Sequence, residues 1–204
     1  MKQEEKKQKI GIVGGTFDPI HIGHLLIGET AKNSLGLDLV IYIPSGCSYM
    51  KEKVSDATHR YHMTKIATEG NPDFTVSDIE IKKTGPTYTF ETMIALKETY
   101  PDSQFFFIVG ADIVFSISSW KNPNLVLENV ILAVFARDGF ELTSLEQELS
   151  LLEQKFQAKY SLFHLDRFDV SSSDLRMRLM DKKSVKYLIP DKVIEYIHEY
   201  NLYE

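Results

Sequence analysis

Apolar residues in this chain gather in short continuous runs, separated by stretches where they recur every three or four positions. The first run, Ile10-Gly11-Ile12-Val13, is β-branched, ends at Gly14-Gly15 and predicts a buried strand. A helix-period stretch over about Ile22–Leu35, closed by Gly36, leads to a second apolar run at Leu39–Ile43, which completes a strand-helix-strand unit. A loop is expected from Pro44 to about Ser55, then a helix near Asp56–Glu69 stopped by Gly70 and Pro72, and an alternating strand over Phe74–Ile81. Gly85-Pro86 breaks the pattern before a helix near Thr89–Thr99 that ends at Pro101. Gln104–Val109 is the most continuously apolar run and is expected at the centre of a sheet.

Val130–Phe135 predicts another strand. Thr143-Ser144-Leu145-Glu146 fits a capping box opening a charged helix that runs to about Lys159, and Ser161–Leu165 is a shorter strand. Two helices follow, one after Ser171-Ser172-Ser173-Asp174 and one after Pro190. This alternation predicts an α/β fold: a Rossmann-like, doubly wound, mostly parallel sheet with helices on both faces and a small helical part at about 171–204. One domain is expected over 10–204, preceded by a polar tail at Met1–Lys9.

Composition narrows the class. With 204 residues, 43% of them hydrophobic, the chain can bury a full core. A net charge of −6 argues against a partner that is a nucleic-acid polymer, because such binders usually carry a basic stripe. No apolar stretch approaches the roughly 18 residues of a membrane span. The tail lacks the apolar segment of a signal peptide, and the single cysteine, Cys47, cannot form an internal disulfide, so a cytoplasmic protein is expected. Monomer and homo-oligomer are both left open.

The chemistry concentrates in Gly14-Gly15-Thr16-Phe17-Asp18-Pro19-Ile20-His21-Ile22-Gly23-His24. Where a strand passes through such a turn into a helix, backbone N–H groups and the positive helix end favour phosphate oxygens, and Thr16 adds a hydroxyl. His21 and His24 are three apart, so at a helix start both imidazoles face one anion. Plainer readings are a bare strand-to-helix turn, histidines that cap or pack the helix, and a metal pair. The last lacks a third nearby Cys or His. Asp112, after the glycine that ends the central strand, suits a ribose hydroxyl or hydrated magnesium, or else caps a helix over Ile113–Ser118. Ser171-Ser172-Ser173-Asp174-Leu175-Arg176 reads as a second anion site or a plain serine cap, with Arg176 and Arg178 as the residues a cap does not require. Trp120, the sole tryptophan, is a core anchor or a plane on which a flat ring stacks.

Taken together, the first motif with His21-Ile22-Gly23-His24, and the later Ser171–Arg176 stretch, resemble the nucleotidyltransferase superfamily with its HxGH and SSTxxR-type motifs. Within it the chain is most similar to the bacterial nicotinate mononucleotide adenylyltransferase family. Gly85-Pro86-Thr87-Tyr88-Thr89-Phe90, Phe107–Asp112, Trp120 and Tyr187–Val193 match that family's segments in order and spacing, so the likeness spans nearly the whole chain. It implies transfer of AMP from ATP, with Mg2+, to the 5′-phosphate of a pyridine mononucleotide. The products are deamido-NAD (or NAD) and pyrophosphate.

By that likeness His21, His24 and Arg176 are the catalytic residues. Gly14, Gly15, Thr16, Phe17, Gly110, Asp112, Ser172 and Ser173 bind ATP, Lys51, Thr87 and Trp120 bind the mononucleotide, and no side-chain set holds a metal. The chain departs from the family at Ile20, where a second proline is common, and at Ser45–Lys51, where a Pro-Pro-His-Lys stretch is common. The second departure implies a differently shaped loop and leaves acid against amide mononucleotide open, with the acid favoured. Competing expectations are a pantetheine-phosphate or CTP-dependent transferase of the same superfamily, and a nucleotide-binding sensor without turnover.

Overall fold

Six of the apolar runs pair side by side in a computed structural model that describes residues 7–46, 54–137, 141–165 and 169–203. The strands are β1 (Lys9–Gly15), β2 (Leu39–Pro44), β3 (Phe74–Val76), β4 (Gln104–Gly110), β5 (Val130–Arg137) and β6 (Lys159–Leu165). All pair in parallel, in the order β3-β2-β1-β4-β5-β6. The chain therefore builds outward from β1 in one direction, returns, and builds outward from β4 in the other. The strand order reverses between β1 and β4, where a crevice opens beyond the strands' carboxyl ends.

Alternate strand residues divide between two cores. Ile10, Ile12, Ile41, Phe105, Phe107, Leu132 and Val134 face one, while Val40, Tyr42, Phe106, Ile108, Ala133 and Phe135 face the other. The first core is covered by α3 (Thr89–Thr99), α4 (Ala111–Val114), α5 (Pro123–Leu127) and α6 (Leu142–Phe156), through Met93, Val114, Val126 and Leu149. The second is covered by α1 (Ile22–Leu35), α2 (Ala57–Thr68), α7 (Ser172–Met180) and α8 (Asp191–Glu199), through Ala31, Met63, Leu175 and Val193. This is the doubly wound α/β arrangement expected from the sequence. Among the described residues, no helix is long and apolar enough to cross a membrane.

Four boundaries differ from the sequence reading. Lys9, assigned to the tail, is the first residue of β1 and pairs with Gln104. β3 stops at Val76 rather than continuing to Ile81. Its neighbour in the sheet, β2, reaches Pro44, which has no N–H with which to extend the ladder past the bond from Ser77 N to the Tyr42 carbonyl. α5 was not foreseen, although Pro123 at its first position is a start signal. α6 begins one residue before Thr143, with Glu141 as its N-cap, and ends at Phe156 instead of near Lys159. Gln157 turns left-handed (φ 54°) and Ala158 is buried, which releases Lys159 to open β6.

α1 lies unusually close to the sheet at Gly28. A Cβ there would sit 2.1 Å from the Tyr42 hydroxyl, and that buried hydroxyl donates to the His24 carbonyl at 3.3 Å. Alanine is the better helix former by about 1 kcal/mol, but overpacking costs about 1–3 kcal/mol and the tyrosine bond would also be disturbed. Gly28→Ala is therefore expected to destabilise the protein by about 2 kcal/mol, read as a lower urea midpoint. Adding Tyr42→Phe should return part of the loss. A Gly28→Ala protein as stable as the parent would show that the helix can shift without cost.

Candidate active site

Beyond the carboxyl ends of β1, β2 and β4 lies a cleft of about 770 Å³. It is lined by Gly14, Gly15, Thr16, Phe17, His21, His24, Thr87, Gly110, Asp112, Trp120, Ser172, Ser173 and Arg176. Of the residues singled out from sequence, only Lys51 is not placed, because it lies outside the described residues together with most of the Ser45–Lys51 stretch.

The local geometry corrects the reading of the two glycines. Gly14 and Gly15 are not a turn but the last residues of β1, paired with Ile43 and Pro44. The turn follows them, and its left-handed residue is Phe17 (φ 50°), 1% exposed. The Phe17 ring fills the place beside Gly15, where a Cβ would come within 2.8 Å of it. Glycine is thus required there to seat an aromatic ring under the cleft.

His21 is the N-cap of α1 and His24 occupies its third position. Their rings stack with centroids 3.7 Å apart, and Phe17 meets His24 edge-on at 5.0 Å. The His21 backbone N–H donates to His24 Nδ1 at 3.3 Å. With Nδ1 accepting, a neutral His24 carries its proton on Nε2 and donates from that side. Capping and presentation to the cleft are therefore simultaneous, not alternatives. The metal reading gains no support from geometry: among the described residues, no three His, Cys, Asp or Glu side chains come together as a ligand set.

At the start of α7 the hydroxyls divide their tasks. Ser171 Oγ caps by accepting from Asp174 N (3.1 Å), and Ser172 Oγ donates to the Pro19 carbonyl (3.0 Å). Arg176 does not simply point outward. Its Nη1 donates to the Asp18 carbonyl at 2.7 Å and its Nη2 to Ser173 Oγ at 3.2 Å, which places the guanidinium between the two motifs. Arg178 instead pairs with Asp174 at 3.2 Å and does not line the cleft.

After β4, Gly110 rather than Asp112 is the N-cap of α4. Asp112 lies in the first turn, exposed, with its carboxylate folded over Gly110, where a Cβ would meet Oδ1 at 2.6 Å. The helix-capping explanation for Asp112 is thus removed. Trp120 packs edge-on against Phe107 at 6.2 Å, as a core anchor does, and also lines the cleft. Its buried Nε1 has no hydrogen-bond partner among the described residues.

Several site residues were missed. Arg60 is 2% exposed, and its guanidinium donates to the carbonyls of Thr16 (2.7 Å), Ser55 (2.9 Å) and Gly46 (3.1 Å). Burial pulls its pKa below the usual arginine value, while Asp18 is the first of the neighbours that hold it up. Asp18, 3% exposed, accepts from Tyr203 Oη at 2.6 Å and from Ser55 N at 3.2 Å. Glu80 lines the cleft and accepts from the Thr92 hydroxyl at 2.8 Å. A signal for Arg60 did exist, because Arg60, Met63, Thr64 and Thr68 form the buried stripe of α2 at helical spacing.

The cleft thus joins two helix starts, a carboxylate after the central strand and an aromatic side chain. Residues 12–178 match the cytidylyltransferase-like family. A protein of Lachnoclostridium phytofermentans named "Probable nicotinate-nucleotide adenylyltransferase" is 36% identical over 198 residues, covering 96% of this chain and 99% of its own. One of the same name from Corynebacterium glutamicum is 40% identical over 201 residues, covering 98% of this chain and 90% of its own. Among solved structures, a nicotinic acid mononucleotide adenylyltransferase of Plasmodium falciparum, complexed with APC, superposes with a TM-score of 0.77 at 26% identity, covering 96% of this chain and 97% of its own. By sequence and by fold, the chain belongs to the nicotinate-nucleotide adenylyltransferase family, within the cytidylyltransferase-like group.

Proposed function

We propose that this chain transfers the adenylyl group of ATP to the 5′-phosphate of nicotinate mononucleotide, forming deamido-NAD and releasing pyrophosphate. The observation that carries the reading is the convergence of His21, His24, Ser173 and Arg176 with Thr87 and Trp120 in the lining of one cleft. A mononucleotide phosphate is already ionised, so its oxygen attacks the α-phosphorus without a general base as the bond to the pyrophosphate oxygen breaks. Catalysis then consists of alignment and stabilisation of charge.

In this arrangement the N–H groups after β1, the Thr16 hydroxyl and His21 hold phosphate oxygens. His24 donates to the α-phosphate as charge develops, and Arg176 with Ser172 and Ser173 grips the departing β- and γ-phosphates. Gly110 and Asp112 border the ATP ribose, Thr87 and Trp120 frame the pyridine ring, and Lys51, outside the described residues, supplies positive charge to a phosphate. Magnesium, which needs few protein oxygens when phosphates bind it, neutralises phosphate charge on ATP. Asp112 is the carboxylate that suits it through water, since Asp18 is engaged by Tyr203 and Ser55, and Glu80 by Thr92.

The reading is checked by pyrophosphate release with ATP and magnesium, run in parallel on nicotinate and nicotinamide mononucleotides with the product identified. Turnover is expected with the acid at a kcat/KM at least tenfold above the amide, as a site built around one polar substituent discriminates. Turnover on neither, in protein that binds ATP, would overturn it.

A further inference from the structure

Asp18 sits inside the loop that presents the histidines, yet its carboxylate faces the body of the protein. Three segments distant in sequence meet on it. Tyr203 Oη donates to Oδ1 at 2.6 Å, and Ser55 N donates to Oδ2 at 3.2 Å. Arg176 Nη1 lies 3.8 Å from Oδ2 while donating to the Asp18 carbonyl at 2.7 Å. The same loop is fastened on either side, with the Thr16 carbonyl held by Arg60 and the Pro19 carbonyl by Ser172. Every one of these partners comes from outside the loop, so its shape is imposed and not intrinsic.

Tyr203 reaches this point by a path that needs support. After α8 ends, Asn201 (φ 49°) and Tyr203 (φ 66°) are both left-handed, and tyrosine adopts that conformation only where surrounding contacts outweigh its cost. The contacts are ring packing against the second core and the hydroxyl on Asp18. Burial and the carboxylate raise the Tyr203 pKa, so the hydroxyl stays a donor.

We infer that Asp18 and Tyr203 are positioning residues for the triphosphate end of the cleft. The tyrosine hydroxyl holds Oδ1, which keeps the carboxylate from swinging into a close two-pronged pair with Arg176 and leaves the guanidinium directed between Ser173 and the phosphates. The last turn of the chain thereby sets the grip on ATP. This rests on the adenylyl-transfer reading of the cleft.

Tyr203→Phe tests it, because the ring and its packing remain and only the hydroxyl is lost. Coupling through such a network is typically a few-fold to tens of fold. The variant should bind ATP about tenfold more weakly by calorimetry and show a raised KM for ATP. The KM for the mononucleotide should stay within twofold and thermal unfolding close to the parent. Unchanged ATP affinity in a variant that only melts earlier would reduce Tyr203 to a structural pin and overturn the inference. Unchanged affinity with unchanged melting would overturn it as well. Because ATP binding is read without turnover, a parent protein that binds ATP but transfers to neither mononucleotide would refute the reaction and still let this inference be judged.

Discussion

His24→Ala is expected to leave a folded protein whose kcat is lower by about two orders of magnitude, the usual loss when one preorganised donor to a developing charge is removed. The ring has two functions in this reading, both lost on substitution, and stability and kinetics report them separately. Its Nδ1 accepts from the His21 N–H, a helix-start bond worth about 1 kcal/mol. That loss should appear as a small drop in the unfolding midpoint. Its Nε2 side is the donor, and a contact made chiefly in the transition state lowers kcat and kcat/KM together without raising KM. His21 and Phe17 flank the ring, so the deletion also leaves space beside two packed aromatics. Steady-state kinetics with varied ATP, on protein checked by its circular dichroism, decides the matter. A raised KM for ATP with near-normal kcat would make His24 a ground-state phosphate ligand only, and near-normal values of both would remove it from the mechanism.

How much of this was legible beforehand depended on whether the signal was local. α1 and α3 appear at the bounds expected, Ile22–Leu35 and Thr89–Thr99, because a closing glycine and a following proline mark their ends in the sequence itself. The parallel sheet followed from runs with no polar alternation. β3 was overestimated because alternation resumes at Ile79-Glu80-Ile81 after slipping by one residue at Ser77-Asp78, whereas the strand's true limit is set by Pro44 on its neighbour. α6 ended early for a similar reason, since the claim of β6 on Lys159 and Tyr160 is a matter of register with Ile131 and Leu132.

The site divides in the same way. Residues named in the two motifs do meet at one cleft, but local geometry fixed by a nearby side chain or by where a helix starts was not legible. Gly15 is required by the Phe17 ring, and Gly110 displaces Asp112 as the cap. The contacts that hold the loops were invisible to motif reading because each spans a gap in sequence: Arg60 to Thr16, Tyr203 to Asp18, Arg176 to Asp18. Arg60 could be found only through the helical spacing of its buried neighbours, and nothing local to Tyr203 marks its bond to Asp18.

Arg60→Met is expected to lower the unfolding free energy by about 3–5 kcal/mol, the range for removing one partner of a buried ionic cluster. Methionine matches the arginine stem in length and gains apolar contact, so the change is not mainly one of volume. What decides the sign is what stays behind. The carbonyls of Thr16, Ser55 and Gly46 lose their donor, each at a cost of about 1–3 kcal/mol when buried. Asp18 also loses a cation that helps to balance its charge and keeps Arg176 close by. Relief of the arginine's own desolvation offsets part of this sum, which is why the total falls short of three full penalties. Arg60→Lys should recover less than half, because an ammonium cannot span three carbonyls that the planar fork reaches together. Because those carbonyls belong to the segments after β1 and β2 and to the approach to α2, the kcat/KM for the mononucleotide should also fall in whatever fraction remains folded. Denaturant unfolding of the parent, Arg60→Met and Arg60→Lys proteins checks the order. A methionine variant as stable as the parent would mean that the three carbonyls find other donors and that Arg60 does not organise the cleft.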